Sequence, residues 1–186
     1  MERDTESVDH RGGILWLTGL SGAGKSTLAT VLDRRLSAAG WRTAVLDGDE
    51  LRRNLCRDLS YSPADRAENI RRAGCVAHLF AGARMVAIAA FISPYQADRD
   101  LIRALNPAAF HEIHIATALA ECERRDPKGL YRRARDGLIA DFTGISAPYE
   151  PPLRPELRVE TEGRTAESCV EDLAAYAETA FRAPVK

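Results

Sequence analysis

Gly19, Gly24, Lys25 and Ser26, in the spacing G-x-x-x-x-G-K-S within the stretch GLSGAGKST, are residues whose combined chemistry is the binding of phosphate. Glycines at this spacing let successive backbone N–H groups converge on phosphate oxygens, and the positive end of a helix starting at the lysine adds to the attraction. Lys25 then suits the β and γ phosphates of a nucleoside triphosphate, and the Ser26 hydroxyl suits Mg²⁺. Ser21, Gly22, Ala23 and Thr27 complete the cradle. A second stretch, LDGDELRRNL, carries Asp47 and Asp49. A carboxylate there can hold the metal, take a proton from an acceptor hydroxyl, or cap a helix beginning at Glu50. The apolar run MVAIAAFI from Met85 ends without an acid, which moves the expectation for base and metal ligand to Asp49. Downstream, Arg66 and Asn69 are three apart on one helical face and can grip one anion together, with Arg52, Arg71 and Arg72 close by in the sequence. Tyr61, just ahead of them, can stack on a base or cover the core.

These groups need a scaffold that brings loop ends to one edge. Short apolar runs at 14–18, 43–46, 86–92, 113–116 and 157–161 alternate with amphipathic stretches, the pattern of an α/β fold with five parallel strands covered by helices. In such sheets ligands sit at the carboxyl ends of the strands, where the glycine-rich loop and Asp49 emerge. The segment KSTLATVLDRRLSAAG has helical spacing and stops at Gly40. A second long helix, PADRAENIRRAGCVAHLFAGA, has Ser62 as N-cap and Pro63 at its first position. SAPYEPPLRPEL is expected to be an ordered surface connection. Residues 1–12 are polar and are expected to form a loose tail, leaving 13–186 as a single domain.

Composition narrows the partners. A chain of 186 residues with 45% hydrophobic and 28% charged residues is an ordinary globular protein able to bury a core. Its net charge of −1 offers no broad basic field for nucleic acid. No apolar run is long enough to span a bilayer and the N-terminal stretch lacks a signal-peptide core, so a cytoplasmic location is expected. Cys56, Cys75, Cys122 and Cys169 are scattered without metal-ligand spacing and read as reduced thiols.

Taken together, GLSGAGKST, DGDELRRNL, SPADRAENIRR, FISPYQADRD, CERRDPKGLYRRAR and DFTGISAPYEPP resemble the adenylylsulfate kinase family, over a span from about Gly13 to the C-terminal helix. The resemblance implies a P-loop kinase fold with a mobile helical lid. It implies ATP as phosphoryl donor, Mg²⁺ as cofactor, the ribose 3′-hydroxyl of adenosine 5′-phosphosulfate as acceptor, and a homodimer. It implies that Asp49 activates the 3′-hydroxyl and helps to hold the metal, that Arg52, Arg66 and Asn69 bind the acceptor, and that Ile92 gives it a backbone contact. Tyr61 and Phe142 match aromatics that sandwich the acceptor's adenine. Arg125 and Lys128, in RRDPKGLYRRAR, match lid residues near ATP. Ser93 matches a serine proposed in some members as a phosphorylated intermediate; by position it can equally end a strand and orient backbone. Two departures stand out: SYS puts Tyr61 where the family has phenylalanine, and IADFTG puts Ala140 and Asp141 where many members read IKGFTG. Other readings of these residues are a P-loop kinase for a different small nucleotide, and a nucleotide-binding module without catalysis.

Overall fold

The computed structural model describes residues 8–183. Five strands form one wholly parallel sheet in the order β2-β3-β1-β4-β5: β1 Gly13–Thr18, β2 Thr43–Asp47, β3 Val86–Ala90, β4 Phe110–Ile115 and β5 Leu157–Val159. Every residue of β1 is buried, because the strand is central and helices cover both faces, which is why it reads as an unbroken apolar run. Its alternate side chains divide the core. Leu15 and Leu17 join Leu28, Leu32 and Leu36 of α1 (Lys25–Ala38) and Leu173 and Phe181 of α7 (Ala166–Phe181). Ile14 and Trp16 join Ile70, Ala73 and Ala77 of α3 (Pro63–Gly82) and Ile102 of α4 (Gln96–Leu105). Three short helices complete the described residues: α2 Gly48–Arg53, α5 Leu119–Arg125 and α6 Leu130–Arg135.

The helix signals act where expected. Ser62 accepts a hydrogen bond from the Asp65 N–H at 3.2 Å and Pro63 opens α3. Beyond α1, Gly40 adopts φ 84° while the Trp41 N–H reaches back to the Leu36 carbonyl at 3.1 Å.

Strand ends differ from the sequence expectation in ways that packing explains. β4 starts three residues earlier than 113, because His111 and Glu112 interrupt the apolar run yet find partners: Glu112 meets Arg99 at 2.5 Å and the His111 ring meets the Tyr176 hydroxyl at 2.5 Å. β3 stops at Ala90 rather than Ile92, since Ser93 turns the chain with φ 39°. β5 stops at Val159; Thr161 instead turns its hydroxyl to Thr117 at 2.6 Å.

The expectation of a loose tail over residues 1–12 is corrected for 8–12, while residues 1–7 lie outside the described residues. His10 is buried, stacks on Trp41 with ring centroids 4.7 Å apart, and accepts from the Arg42 N–H at 3.1 Å. The Arg11 N–H bonds to the Phe181 carbonyl at 2.9 Å and the Ala183 N–H to the Asp9 carbonyl at 3.1 Å. A stretch that is polar by composition is ordered here by one aromatic ring and backbone pairing to the C-terminal segment.

Candidate active site

A cleft of about 580 Å³ opens at the carboxyl edge of the sheet, where β1, β2 and β3 end. The loop after β1 forms its floor. Gly24 takes φ 102° as the N-cap of α1, a conformation that a Cβ would strain. At Gly19 space decides instead, since a Cβ would lie 2.6 Å from the Ile115 carbonyl oxygen. The loop is braced from the lid side by the Tyr131 hydroxyl, which donates to the Ser21 carbonyl at 2.9 Å, and from below by the Thr117 hydroxyl on the Ala23 carbonyl at 3.1 Å.

Lys25 is buried, and its ammonium donates to the Gly19 and Leu20 carbonyls at 2.9 and 2.7 Å. Burial pushes its pKa down to about 8, against the opposing pull of Cys122, Asp47 and Asp49. A ligand phosphate at this loop would pair with the ammonium form. Proton loss would therefore weaken phosphate capture as pH rises through that value, and affinity for a nucleoside triphosphate is expected to be level below about pH 8 and to fall above it. A profile level through pH 10 would remove Lys25 from phosphate capture.

The two acids separate by role. Asp47 caps α2 by accepting from the Asp49 N–H at 2.9 Å, and its other oxygen takes the Ser26 hydroxyl at 2.5 Å. Asp49 sits in the first turn of α2 with its carboxylate exposed and paired with Lys128. The capping role left open between the two acids thus falls to Asp47, which also orients Ser26. The donor set around Ser26 is hydroxyl and carboxylate oxygen, which suits Mg²⁺; such a site leaves further positions for phosphate and water.

On the other wall, Tyr61 is 65% exposed, with the Arg52 guanidinium 4.4 Å from its ring centroid and that of Arg66 at 5.8 Å. Arg66 ties α3 to the 141–143 loop, donating to the Asp141 carbonyl at 2.8 Å and the Thr143 hydroxyl at 3.2 Å, and it also holds the Tyr61 carbonyl at 2.9 Å. Asn69 is buried on the cleft wall, and its amide oxygen has no hydrogen-bond partner. An orphaned buried acceptor at a cleft surface is costly unless something fills it. Ile92 lends its carbonyl to the Thr18 hydroxyl at 2.7 Å. The Ser93 hydroxyl is 1% exposed as a residue and accepts from Trp16 Nε1 at 3.1 Å.

Of the residues to which the family resemblance or the phosphate-loop motif gave a catalytic, donor-binding, acceptor-binding or metal-binding role, all but Gly19 and Phe142 line this one cleft. Gly19 turns the chain behind it. Phe142 packs edge-on against Tyr131 at 5.0 Å between ring centroids, in the hydrophobic core rather than along the cleft. Arg71 and Arg72 face away: Arg71 pairs with Glu68, and Arg72 with Glu68 and Asp58. Arg125 holds Thr161 through its hydroxyl at 3.0 Å and its carbonyl at 3.2 Å. One wall was missed, formed by Arg164, Thr165, Ala166 and Cys169 at the start of α7. Its available signal was Thr165 following the last strand, a helix N-cap on the ligand-binding edge.

Residues 11–160 match the family model described as adenylylsulphate kinase, which covers most of the chain. The chain belongs to the adenylylsulfate kinase family. The adenylyl-sulfate kinase of Shewanella amazonensis is 54% identical over 168 residues, covering 90% of this chain and 85% of that one. The adenylyl-sulfate kinase of Bacillus licheniformis is 50% identical over 172 residues, covering 92% and 87%. Among solved structures, the Mycobacterium tuberculosis APS kinase CysC, in complex with AMPPNP and APS, superposes with a TM-score of 0.87 at 43% identity, covering 91% of this chain and 99% of that one. A hexameric APS kinase from Thiobacillus denitrificans gives a TM-score of 0.70 at 35% identity over 91% of this chain and 29% of that one.

Proposed function

We infer that this chain transfers the γ-phosphoryl group of ATP to the ribose 3′-hydroxyl of adenosine 5′-phosphosulfate, forming 3′-phosphoadenosine 5′-phosphosulfate in sulfate activation. The observation that carries the inference is one cleft lined by the phosphate loop on one side and by Asp49, Arg52, Arg66 and Asn69 on the other, in a chain of this family. In this reading the loop N–H groups and Lys25 hold the donor phosphates, and Ser26, with Asp49 or Asp47, holds Mg²⁺. The cation, when bound, supplies charge neutralisation on the transferring oxygens. Asp49 accepts the proton of the 3′-hydroxyl, which requires its carboxylate to leave Lys128. Arg52 and Arg66 take the anionic end of the acceptor, and Asn69 offers its unpaired oxygen to an acceptor N–H or O–H. Tyr61 stacks on the adenine. Phe142 reaches the ring from the other side only if Tyr131 and the lid shift, so that pairing is proposed for the loaded enzyme alone. Arg125 and Lys128 close over ATP from α5 and the loop after it.

We extend the proposal to a homodimer in the cytoplasm. Leu79, Leu101 and Leu105 leave large apolar surface on the outer sides of α3 and α4, and no helix among the described residues is long and apolar enough to cross a membrane. All four cysteines are free thiols, as a reducing compartment permits.

Ser93 is assigned a positioning role rather than a covalent one, because its hydroxyl is engaged by Trp16 beneath the surface. Ser93→Ala is expected to keep turnover within about tenfold of the unmodified enzyme and to cost about 1 kcal/mol of stability, from the orphaned indole N–H. Loss of all turnover, with phosphoserine trapped on the unmodified protein, would reverse the assignment. For the function itself, ADP release with Mg²⁺ and ATP should depend on adenosine 5′-phosphosulfate. Equal release with and without any acceptor would contradict it.

A further inference from the structure

Among the described residues Arg99 is the largest charged side chain that is fully buried, and it lies outside the cleft. Its Nε donates to Glu112 at 2.5 Å, Nη1 to the Ser93 carbonyl at 2.6 Å, and Nη2 to the Gln96 side-chain oxygen and the Glu150 carbonyl, each at 2.7 Å. A buried ion pair is a poor source of stability, because apolar residues of similar volume commonly do as well. What the guanidinium supplies that an apolar residue cannot is a rigid fork of donors aimed at two backbone carbonyls.

One of those carbonyls belongs to the turn that forms the cleft wall. Ser93 has φ 39°, a left-handed conformation that a non-glycine residue keeps only when its surroundings over-determine it. Four contacts do so: Thr18 on the Ile92 carbonyl and, at the longer distance of 3.5 Å, on the Ser93 carbonyl, Trp16 on the Ser93 hydroxyl, and Arg99 on the Ser93 carbonyl at 2.6 Å. The second carbonyl, of Glu150, belongs to a segment whose N–H bonds back to the Pro94 carbonyl at 2.8 Å. Arg99 therefore clamps both strands of chain that meet at residues 92–94, and Ile92, Ser93 and Pro94 all line the cleft.

We propose that Arg99 is a positioning residue for the acceptor: through the Ser93 carbonyl it fixes the 92–94 turn, a role that rests on the reading that this turn faces adenosine 5′-phosphosulfate. A turn free to shift by a fraction of an ångström would misplace the acceptor while leaving the phosphate loop untouched, so the defect should be confined to one substrate.

The test is the paired replacement Arg99→Met with Glu112→Met, which removes both buried charges together and leaves Arg103 its Glu156 partner. Steady-state KM for each substrate, kcat and the thermal midpoint are measured on the full chain. We expect the acceptor KM to rise about tenfold or more with the ATP KM within about twofold. A merely structural role would reduce the folded fraction, scaling kcat and leaving both KM values in place; that result in a folded variant overturns the proposal. Arg99→Lys, which keeps a charge against Glu112 but loses the fork, should reproduce the acceptor defect. Failure of both variants to fold would assign Arg99 to stability and equally overturn it. The unmodified chain, assayed alongside, separates two failures. If it does not turn over adenosine 5′-phosphosulfate, the functional reading falls and this role with it; if it does and the variants keep its acceptor KM, only the role of Arg99 falls.

Discussion

Lys25→Ala is expected to lower kcat/KM for ATP by about 10³-fold or more while the protein stays folded, since a preorganised cation on the transferring phosphoryl group acts mainly in the transition state. The structure sharpens the reason. The lysine's ammonium already sits in the loop, largely buried and bonded to two carbonyls of the same turn. It therefore needs little reorganisation when phosphate arrives. Alanine removes a desolvated charge, which favours the fold, and leaves two carbonyls short of a donor, which disfavours it; each effect is on the order of 1–3 kcal/mol and they offset. Circular dichroism melting beside initial-rate measurement checks both halves. Near-normal activity with a normal melt would show that the glycine-rich loop does not hold the donor.

Asp49→Asn is the second large effect: kcat should fall about 10²- to 10⁴-fold with ATP affinity nearly unchanged, as the loss of a general base acts on the chemical step. Asparagine keeps the shape and the place in the first turn of α2, and Asp47 rather than Asp49 carries the helix cap, so the local fold has no reason to fail. The ion pair to Lys128 is lost as well, but both partners are more than half exposed, so that contact contributes little. Titration calorimetry with a non-hydrolysable ATP analogue, set against kcat, separates the roles. Equal losses in binding and turnover would make Asp49 a metal ligand only.

Features legible in the sequence were those fixed by local rules. The phosphate loop, the Ser62–Pro63 start of α3 and the Gly40 stop after α1 each depend on a few neighbouring residues, and each stands where the sequence places it. Contacts between distant segments were not legible. That Asp47 would take the Ser26 hydroxyl depends on how β2 aligns beside α1, and that Arg99 would vanish beneath Ser93 depends on Glu112 meeting it across 13 positions. Both pairs are ordinary polar residues until the fold joins them. Phe142 shows the converse, since its family match puts it on the acceptor ring whereas here it is packed against Tyr131. The residue type was readable; its packing against Tyr131 was not. His10 escaped for a similar reason, because a lone histidine in a charged stretch carries no sign of the Trp41 face that buries it.

The most direct test is the position of the new phosphate. With ATP, Mg²⁺ and adenosine 5′-phosphosulfate, the product is analysed by mass and by phosphorus coupling to the ribose protons, next to the 3′-deoxy analogue of the acceptor and AMP. The proposed placement of Asp49 toward the ribose 3′-hydroxyl requires a single product phosphorylated at that oxygen, binding without turnover for the 3′-deoxy analogue, and poor turnover of AMP, which lacks the sulfate proposed to meet Arg52 and Arg66. Phosphate on another oxygen, turnover of the 3′-deoxy analogue, or preference for a different nucleotide would contradict it.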